Sequence, residues 1–500
     1  MTIFSGFVTS VMDFLATLFV FVVGLGLLVT LVYYFIDRYQ YEHTIRRNFP
    51  VIGRFRYLFE HLGEFFRQYF FALDREELPF NRAQRSWAYR AAKNVDNTSA
   101  FGSTKDLRTE GTVYFVNCPY PQLEEEMEPP SEVELGPYAR QPYRTASFFN
   151  ISAMSFGSLS EPAVRALSAG AAKAGIWMNT GEGGLSPYHL SGGCDIVFQI
   201  GTAKYGVRDH DGKLSDDKLR EVAAHEQVKM FEIKLSQGAK PGKGGILPGE
   251  KVTAKIAAIR GIPEGQDSIS PNRHPDINNA GELLDMIHRV REVTGKPTGI
   301  KFVLGARGWL DDLAELIHQR GIESAPDFIT VDSCDGGTGA APTPLMDDMG
   351  MPLRESLPIV VNTLDRHRLR PRIRVVASGK RITPTEVAWA LCAGADFINS
   401  ARGFMFALGC IQALQCNKNT CPTGITTHNR KLQRGLVPEE KSERVAWYAK
   451  NMSHEVEMIA HSCGVPEPRR LRRMHARIVT ENGTSVSLEE LYPYVQVSEN

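Results

Sequence analysis

The sequence predicts an α/β chain built on an eight-stranded parallel barrel of the (β/α)8 type, preceded by one membrane-crossing helix. Three observations carry this. From residue 145 to 430, eight short β-rich runs alternate with helix-patterned segments, the signature of βα units and a parallel sheet. Glycine-rich loops follow five of those runs, on the rim where a TIM barrel collects its chemistry. Ahead of the barrel, Phe14 to Ile36 is a run of 23 residues without a charge.

That first run, at 1.5 Å per residue, spans roughly the 30 Å hydrocarbon core and is expected to cross a membrane once. Met1 to Asp13 holds no Lys or Arg, which argues against a signal peptide. Arg38, Arg46, Arg47, Arg54 and Arg56 follow the run, and Tyr33 and Tyr34 fall near the expected interface. The positive-inside rule then makes this a single-pass membrane protein whose catalytic part faces the cytoplasm. Residues 1–37 are the expected anchor. Residues 38–144 form a juxtamembrane helical region and linker, in which Phe55, Tyr57, Leu58, Phe59, Phe65, Phe66, Tyr69 and Phe70 recur among Arg and Glu. Aromatic residues at helical spacing indicate packing, as a collar against the membrane or the catalytic domain. Pro119 to Pro142, rich in proline and glutamate, reads as the linker into the barrel. Lys+Arg and Asp+Glu each number 57, so the net formal charge is zero and no nucleic-acid partner is expected.

The eight predicted strands are Phe148-Phe-Asn-Ile-Ser-Ala153, Gly175-Ile-Trp-Met-Asn179, Asp195-Ile-Val-Phe-Gln199, Met230-Phe-Glu-Ile-Lys234, Gly299-Ile-Lys-Phe-Val303, Asp327-Phe-Ile-Thr-Val-Asp332, Ile373-Arg-Val-Val-Ala377 and Asp396-Phe-Ile-Asn-Ser400. Unusual residues gather in the loops behind them. Met154-Ser-Phe-Gly-Ser-Leu-Ser160 follows the first strand and Thr180-Gly-Glu182-Gly-Gly184 the second. Gln237-Gly-Ala-Lys240-Pro-Gly-Lys243-Gly-Gly245 follows the fourth, Cys334-Asp335-Gly336-Gly337-Thr338-Gly339 the sixth, and Ser378-Gly379-Lys380 the seventh. Glycine lets backbone approach a ligand and bares N–H groups, so several such loops on one rim suit a phosphate and a planar ring. One alone would be a tight turn. The loops after strands seven and eight often hold phosphate in TIM barrels. Here they are Ser378-Gly379-Lys380 and Ala401-Arg402-Gly403, which points to FMN.

Just past the eighth strand, Cys410, Cys416 and Cys421-Pro422 make a C-x5-C-x4-C-P pattern. Thiolates favour iron–sulfur clusters or zinc, and a proline after the last cysteine recurs in ferredoxin-type runs. Three local ligands suggest a three-iron cluster. Incidental buried thiols and a zinc site are the weaker alternatives, since structural zinc usually shows C-x2-4-C pairs. Three of the eight cysteines in one short window also read as a metal site in a reducing compartment rather than a disulfide framework. No G-x-G-x-x-G opens a βαβ unit, so no nicotinamide domain is expected.

Six separated motifs then recur in one order. They are Ala153-Met-Ser-Phe-Gly-Ser-Leu-Ser160, Asn179-Thr-Gly-Glu-Gly-Gly184, Lys234 through Gly245, Leu247-Pro248-Gly249, Asp335-Gly-Gly-Thr-Gly-Ala340, and Leu408-Gly-Cys through Cys421-Pro-Thr-Gly424. On these motifs, residues 145–430 resemble the FMN-binding synthase domain of glutamate synthase. The resemblance implies FMN, a [3Fe-4S] cluster on Cys410, Cys416 and Cys421, and reductive amination of 2-oxoglutarate with ammonia to L-glutamate. It implies catalytic roles for Glu182, Lys234, Gln237 and Lys240, with Lys243 a further cation for a substrate bearing two carboxylates. The FMN would lie against Ala153, Met154, Ser155, Asn179, Thr180, Lys301, Asp335, Gly336, Gly337, Thr338, Gly339, Ser378, Gly379, Ala401 and Arg402. His274 and Asp276 match a family segment near the active face, where a His-Pro turn is more often structural.

Full glutamate synthases begin with a glutaminase domain carrying an N-terminal cysteine, whereas residue 2 here is Thr and residues 1–145 show no amidotransferase pattern. Residues 431–500 are expected as a helical extension. Ammonia is therefore expected free or from a separate glutaminase subunit, and electrons from ferredoxin or a reductase partner. Two other readings remain at this stage: an FMN oxidoreductase for a related oxo acid, hydroxy acid or amine, and a non-catalytic membrane-tethered electron-transfer subunit.

Overall fold

The computed structural model describes residues 2–235 and 237–495, in two compact units, Met1–Ala83 and Gln84–Asn500. In the first, α1 (Thr2–Tyr39) is a continuous helix whose Gly6–Tyr39 portion is long and apolar enough to cross a membrane, with its apolar run exposed. After a five-residue helical segment, Thr44–Asn48, comes α2 (Ile52–Phe66), continued by a π-helical turn over Arg67–Phe71.

The second unit holds the barrel. Its strands are β1 (Phe149–Ile151), β2 (Met178–Asn179), β3 (Ile196–Ile200), β4 (Val228–Lys234), β5 (Thr298–Val303), β6 (Phe328–Asp332), β7 (Arg374–Ser378) and β8 (Phe397–Ser400). Each pairs in parallel with the next, and β8 closes on β1 through Ile398–Phe149 and Ser400–Ile151. All eight predicted runs are strands. β3 is buried at every position, as expected of a strand covered on both faces, and its apolar run is why the sequence declares it.

Two stretches hold more structure than their composition suggests. Within the proline-rich segment, Val133–Leu135 pairs antiparallel with Tyr143–Thr145. That hairpin plugs the barrel floor, where Leu135 and Tyr143 pack with Trp177, Val197, Met230, Phe328, Val376 and Phe397. Flanking prolines and glutamates disguise its two-residue alternation. After the barrel, the expected helical extension also carries strands: Ala476–Val479 pairs with Val113–Phe115 and with Ser485–Ser487.

The helices α3 (Glu161–Ala174) and α5 (Pro438–Ser462) pack on one another outside the barrel. Gly170 makes their approach possible. A Cβ there would lie 2.5 Å from Val445 Cβ and 2.7 Å from Ser442 O. Gly170→Ala is therefore expected to destabilise the barrel by ~1–3 kcal/mol through overpacking, read as a lower denaturant midpoint.

Candidate active site

A cleft opens at the carboxyl ends of the strands. At its base stands a polar chain. Lys234, at the end of β4, donates from Nζ to Gln237 Oε1 at 2.8 Å, and Gln237 Nε2 donates to Glu182 Oε2 at 2.7 Å. Lys234 Nζ also lies 3.6 Å from the same carboxylate oxygen. Burial works to raise the Glu182 pKa, but Lys234, the Gln237 hydrogen bond, Arg260 and Lys240 outweigh it and hold the carboxyl below its ordinary range. It is an anion at neutral pH.

Glycines make room for that anion. A Cβ on Gly201 would sit 2.5 Å from Glu182 Cβ, and one on Gly245 would sit 2.5 Å from Oε1. Gly245 belongs to one of the glycine-rich rim loops read as facing a ligand, and here it receives a side-chain carboxylate.

Under the cleft floor, Glu232 is buried and accepts from Asn179 Nδ2 at 2.8 Å, Gln199 Nε2 at 2.7 Å and Thr330 Oγ1 at 2.6 Å. Asn179 Oδ1 in turn accepts from Gly181 N, and Thr180 Oγ1 accepts from Gln199 N. Asn179 and Thr180 thus brace the floor and do not line the cleft. Gln199 does line it, and its Oε1 is buried without a partner while its amide nitrogen is fixed by Glu232. A buried acceptor left open costs free energy unless a ligand donor fills it. Lys301, at the β5 end, pairs with Asp332 at 3.1 Å; burial opposes its charge, but Asp332 and Glu232 raise its pKa overall.

Across the cleft, Ala153, Met154 and Ser155 face Gly337, Thr338, Gly339, Ser378, Gly379, Ala401 and Arg402. Arg402 Nη2 donates to Thr338 O at 2.7 Å, and a Cβ on Gly337 would strike Arg402 Nε at 2.5 Å. Gly379, at φ +108°, passes so close to Ser333 that a Cβ would lie 2.5 Å from that side chain. Asp335 and Gly336 are set back from the lining: Asp335 is held by Lys380 at 2.9 Å and by the Ser333 hydroxyl. Lys240 is also off the lining, buried with Nζ on Ala340 O at 2.8 Å, and Lys243 is exposed. His274 is buried with Nε2 against Lys234 O at 3.0 Å, while Asp276 pairs with Lys204 at 2.7 Å; neither lines the cleft.

The cysteine loop starts where α4 (Arg402–Leu408) ends, and Cys416 reaches the cleft wall. Gln412, Leu414 and Asn419 all take positive φ, between 54° and 58°, a winding that costs of order 1 kcal/mol at each non-glycine residue. Cations attend the sulfurs. Arg402 Nη1 lies 3.9 Å from Cys416 Sγ, and buried Lys251 donates to Ser158 O at 2.9 Å and Cys416 O at 3.2 Å. Burial pulls the Lys251 pKa to about 8 against the opposing pull of Cys416 and Cys421. Burial pushes the Cys410 thiol up to about 11, whereas hydrogen bonds from Thr423 and Thr426 overcome burial and lower Cys421. Among the described residues no three Cys, His, Asp or Glu side chains converge on a single metal ion. A cluster asks something different, because its thiolates bind separate irons and stand further apart than the ligands of one ion.

The conserved region of glutamate synthase matches residues 117–466. The chain belongs to the glutamate synthase family. YerD of Bacillus subtilis (strain 168), a glutamate synthase large subunit-like protein, is 39% identical over 497 residues, covering 92% of this chain and 94% of YerD. The archaeal glutamate synthase (NADPH) of Methanocaldococcus jannaschii is 34% identical over 343 residues, 68% of this chain. This chain spans 63% of that archaeal protein's length. Among solved structures, a mutant flavocytochrome b2 with pyruvate bound aligns over 83% of this chain and 86% of its own at 16% identity, with a TM-score of 0.45.

This glutamate synthase family member is a glutamate synthase-like oxidoreductase, of the class acting on CH–NH2 donors. Its cleft fits FMN on its own geometry. Arg402 and the backbone of 337–339 and 379 suit a phosphate, and the open Gln199 acceptor beside Lys301 suits a ring carrying N–H and carbonyl groups. Gln199, Arg260 and Lys251 escaped sequence reasoning. A signal existed for Gln199, the one polar residue inside the apolar run of β3, but Arg260 and Lys251 arrive from a distant segment whose path the sequence does not declare.

Proposed function

We propose that the chain makes L-glutamate by reductive amination of 2-oxoglutarate with ammonia, with FMN in the cleft and a [3Fe-4S] cluster on Cys410, Cys416 and Cys421 feeding it electrons. The observation that supports this reading is the chain Glu182–Gln237–Lys234 in the same cleft that Cys416 borders. FMN, when bound, supplies hydride to the imine carbon.

The residues present would do the rest. Gly337, Thr338, Gly339, Ser378, Gly379, Ala401 and Arg402 would hold the phosphate, and Ala153, Met154, Ser155, Gln199 and Lys301 the ring. Lys301 would add positive charge where a reduced ring gathers negative charge. Lys234 and Lys251 would face the two substrate carboxylates, and buried Arg260 would act through the charge it adds near Glu182. Glu182, kept ionised, would handle protons at the developing amine or orient the imine, with Gln237 holding Glu182 and Lys234 in register. Lys240 would act through the charge it adds near Glu182, and Asn179 and Thr180 by bracing the floor.

In this reading residues 1–37 anchor the chain in a membrane once, 38–144 join it to the barrel of 145–430, and 431–500 are a C-terminal extension, with the catalytic part in the cytoplasm. The reductant would be ferredoxin or a reductase, and ammonia would arrive free or from a glutaminase subunit. A related oxo acid is a second substrate reading, supported by Ile246, which lines the cleft and stays 43% exposed beside Leu247 and Leu159.

The test is anaerobic. Chemically reduced protein should reoxidise its flavin and form glutamate on addition of 2-oxoglutarate with ammonium, and not with glutamine in place of ammonium. Reoxidation by another oxo acid alone would favour the second reading, and reoxidation by none would sink both. Cys416→Ser is expected to remove iron while FMN stays bound, read by iron analysis and the visible spectrum; full iron content in that variant would refute the ligand set.

A further inference from the structure

The aromatic helix behind the apolar span has no part in this chemistry. Along α2, Ile52, Phe55, Phe59 and Phe66 fall within an arc of about 60° at 100° per residue. Phe70 extends the apolar surface into the π-helical turn. All five are exposed, from 45% at Phe66 to 74% at Phe70. Arg54, Glu60, His61 and Gln68 occupy the other side of the helix.

The start of α2 is fixed to the end of α1. Asp37 is fully buried and accepts Val51 N at 3.0 Å, Arg54 Nε at 2.8 Å and Arg54 Nη2 at 2.7 Å. The same guanidinium lies 4.0 Å over the Tyr33 ring. The exposed apolar surface of α1 therefore leads straight into that of α2. Charge favours an anionic partner: residues 38–75 hold seven arginines against four acids.

We propose that α2 and its continuation lie in the surface of an anionic lipid bilayer, on the side where α1 emerges, with the phenylalanine face among the lipid chains and Arg56 and Arg67 at the phosphates. This rests on the reading of α1 as a membrane span. Interfacial helices take this form, aromatic on one face and basic at its borders. A second copy of the helix is the poorer occupant, because a coiled-coil seam wants leucine and β-branched residues rather than a row of phenylalanines.

The test uses the full chain in phosphatidylcholine vesicles, with and without phosphatidylglycerol, carrying a benzophenone amino acid at Phe59 or at His61 on the opposite face. Phe55 serves as the probe position should the Phe59 variant fold poorly. Lipid adducts are expected several-fold more often at Phe59 than at His61, and more often with phosphatidylglycerol. Adducts from Phe59 to a second copy or to another part of the same chain, or equal lipid labelling at both positions, would overturn the proposal. Alkaline carbonate washing separates it from the span reading. A chain that stays in the membrane but gives no lipid adduct at Phe59 overturns the interfacial helix alone. A chain that washes off and gives none overturns both, and one that washes off yet labels lipid at Phe59 keeps the interfacial helix without the span.

Discussion

Glu182→Gln is expected to slow flavin reoxidation by 2-oxoglutarate and ammonium by about 10²- to 10⁴-fold, the range for loss of a positioned proton acceptor, while FMN and iron contents stay unchanged. The substitution keeps the size and one hydrogen-bonding oxygen but removes the charge. Lys234, 3.6 Å away, loses its counter-ion, and the side chain can no longer handle a proton at the developing amine or orient the imine by its charge. The pH profile gives a second readout. Lys234, Gln237, Arg260 and Lys240 together overcome burial and lower the Glu182 pKa. A group required as its anion supports the reaction above its pKa and fails as pH falls through it, so the acid limb of the native profile should lie below the ordinary carboxylate range. That limb should vanish in Glu182→Gln. The same lowered pKa means that ionised Glu182 stabilises the fold above the unfolded-state pKa and that this contribution fades as pH falls through the folded value. An unchanged reoxidation rate in the variant would remove Glu182 from the mechanism.

What the sequence made legible follows from what periodicity can record. The barrel strands are buried on both faces, so each appears as a short apolar run, and even β2, reduced to Met178–Asn179, sits inside its predicted stretch. The rim motifs locate the cleft because glycine-rich loops at strand ends have few other uses. Direction is what they leave out. Asp335 and Gly336 share a motif with Gly337, yet the turn sends Asp335 to Lys380 and away from the lining. Asn179 and Thr180 adjoin Glu182 in sequence but point below the floor to Glu232 and to the backbone of Gln199. Gln199 and Glu232, both polar inside strands, offered the one unread hint: a buried polar side chain in a barrel strand must find partners, and here they find each other.

Asp327 shows the same blindness with a larger consequence for stability. It is the first residue of the predicted sixth strand and looks like a boundary residue, yet it is fully buried at the barrel floor. Its carboxylate accepts Arg291 Nε at 2.9 Å, Arg372 Nη2 at 2.8 Å and Thr298 N at 2.8 Å, joining the helix Ala280–Thr294 and the segments entering β5, β6 and β7. Both guanidiniums are also at most 5% exposed. Arg291 has further acceptors in Glu323 O and Ala325 O, and Arg372 in Ala325 O, so neither cation can turn away to water without breaking those bonds. Asp327→Ala would leave two buried positive charges side by side, and the expected cost is ~3–5 kcal/mol, as for breaking other buried ion pairs from one side. Asp327→Asn should cost less, because its amide oxygen in the Oδ2 place still accepts two of the three donors, Arg291 Nε and Thr298 N. Equilibrium denaturation of the purified protein with FMN bound would show the order native, Asn, Ala. The flavin spectrum of whatever remains folded should be unchanged, since these contacts lie at the opposite end of the barrel from the cleft. A loss in the Ala variant no larger than that of an exposed substitution would mean that the two arginines relax into other partners.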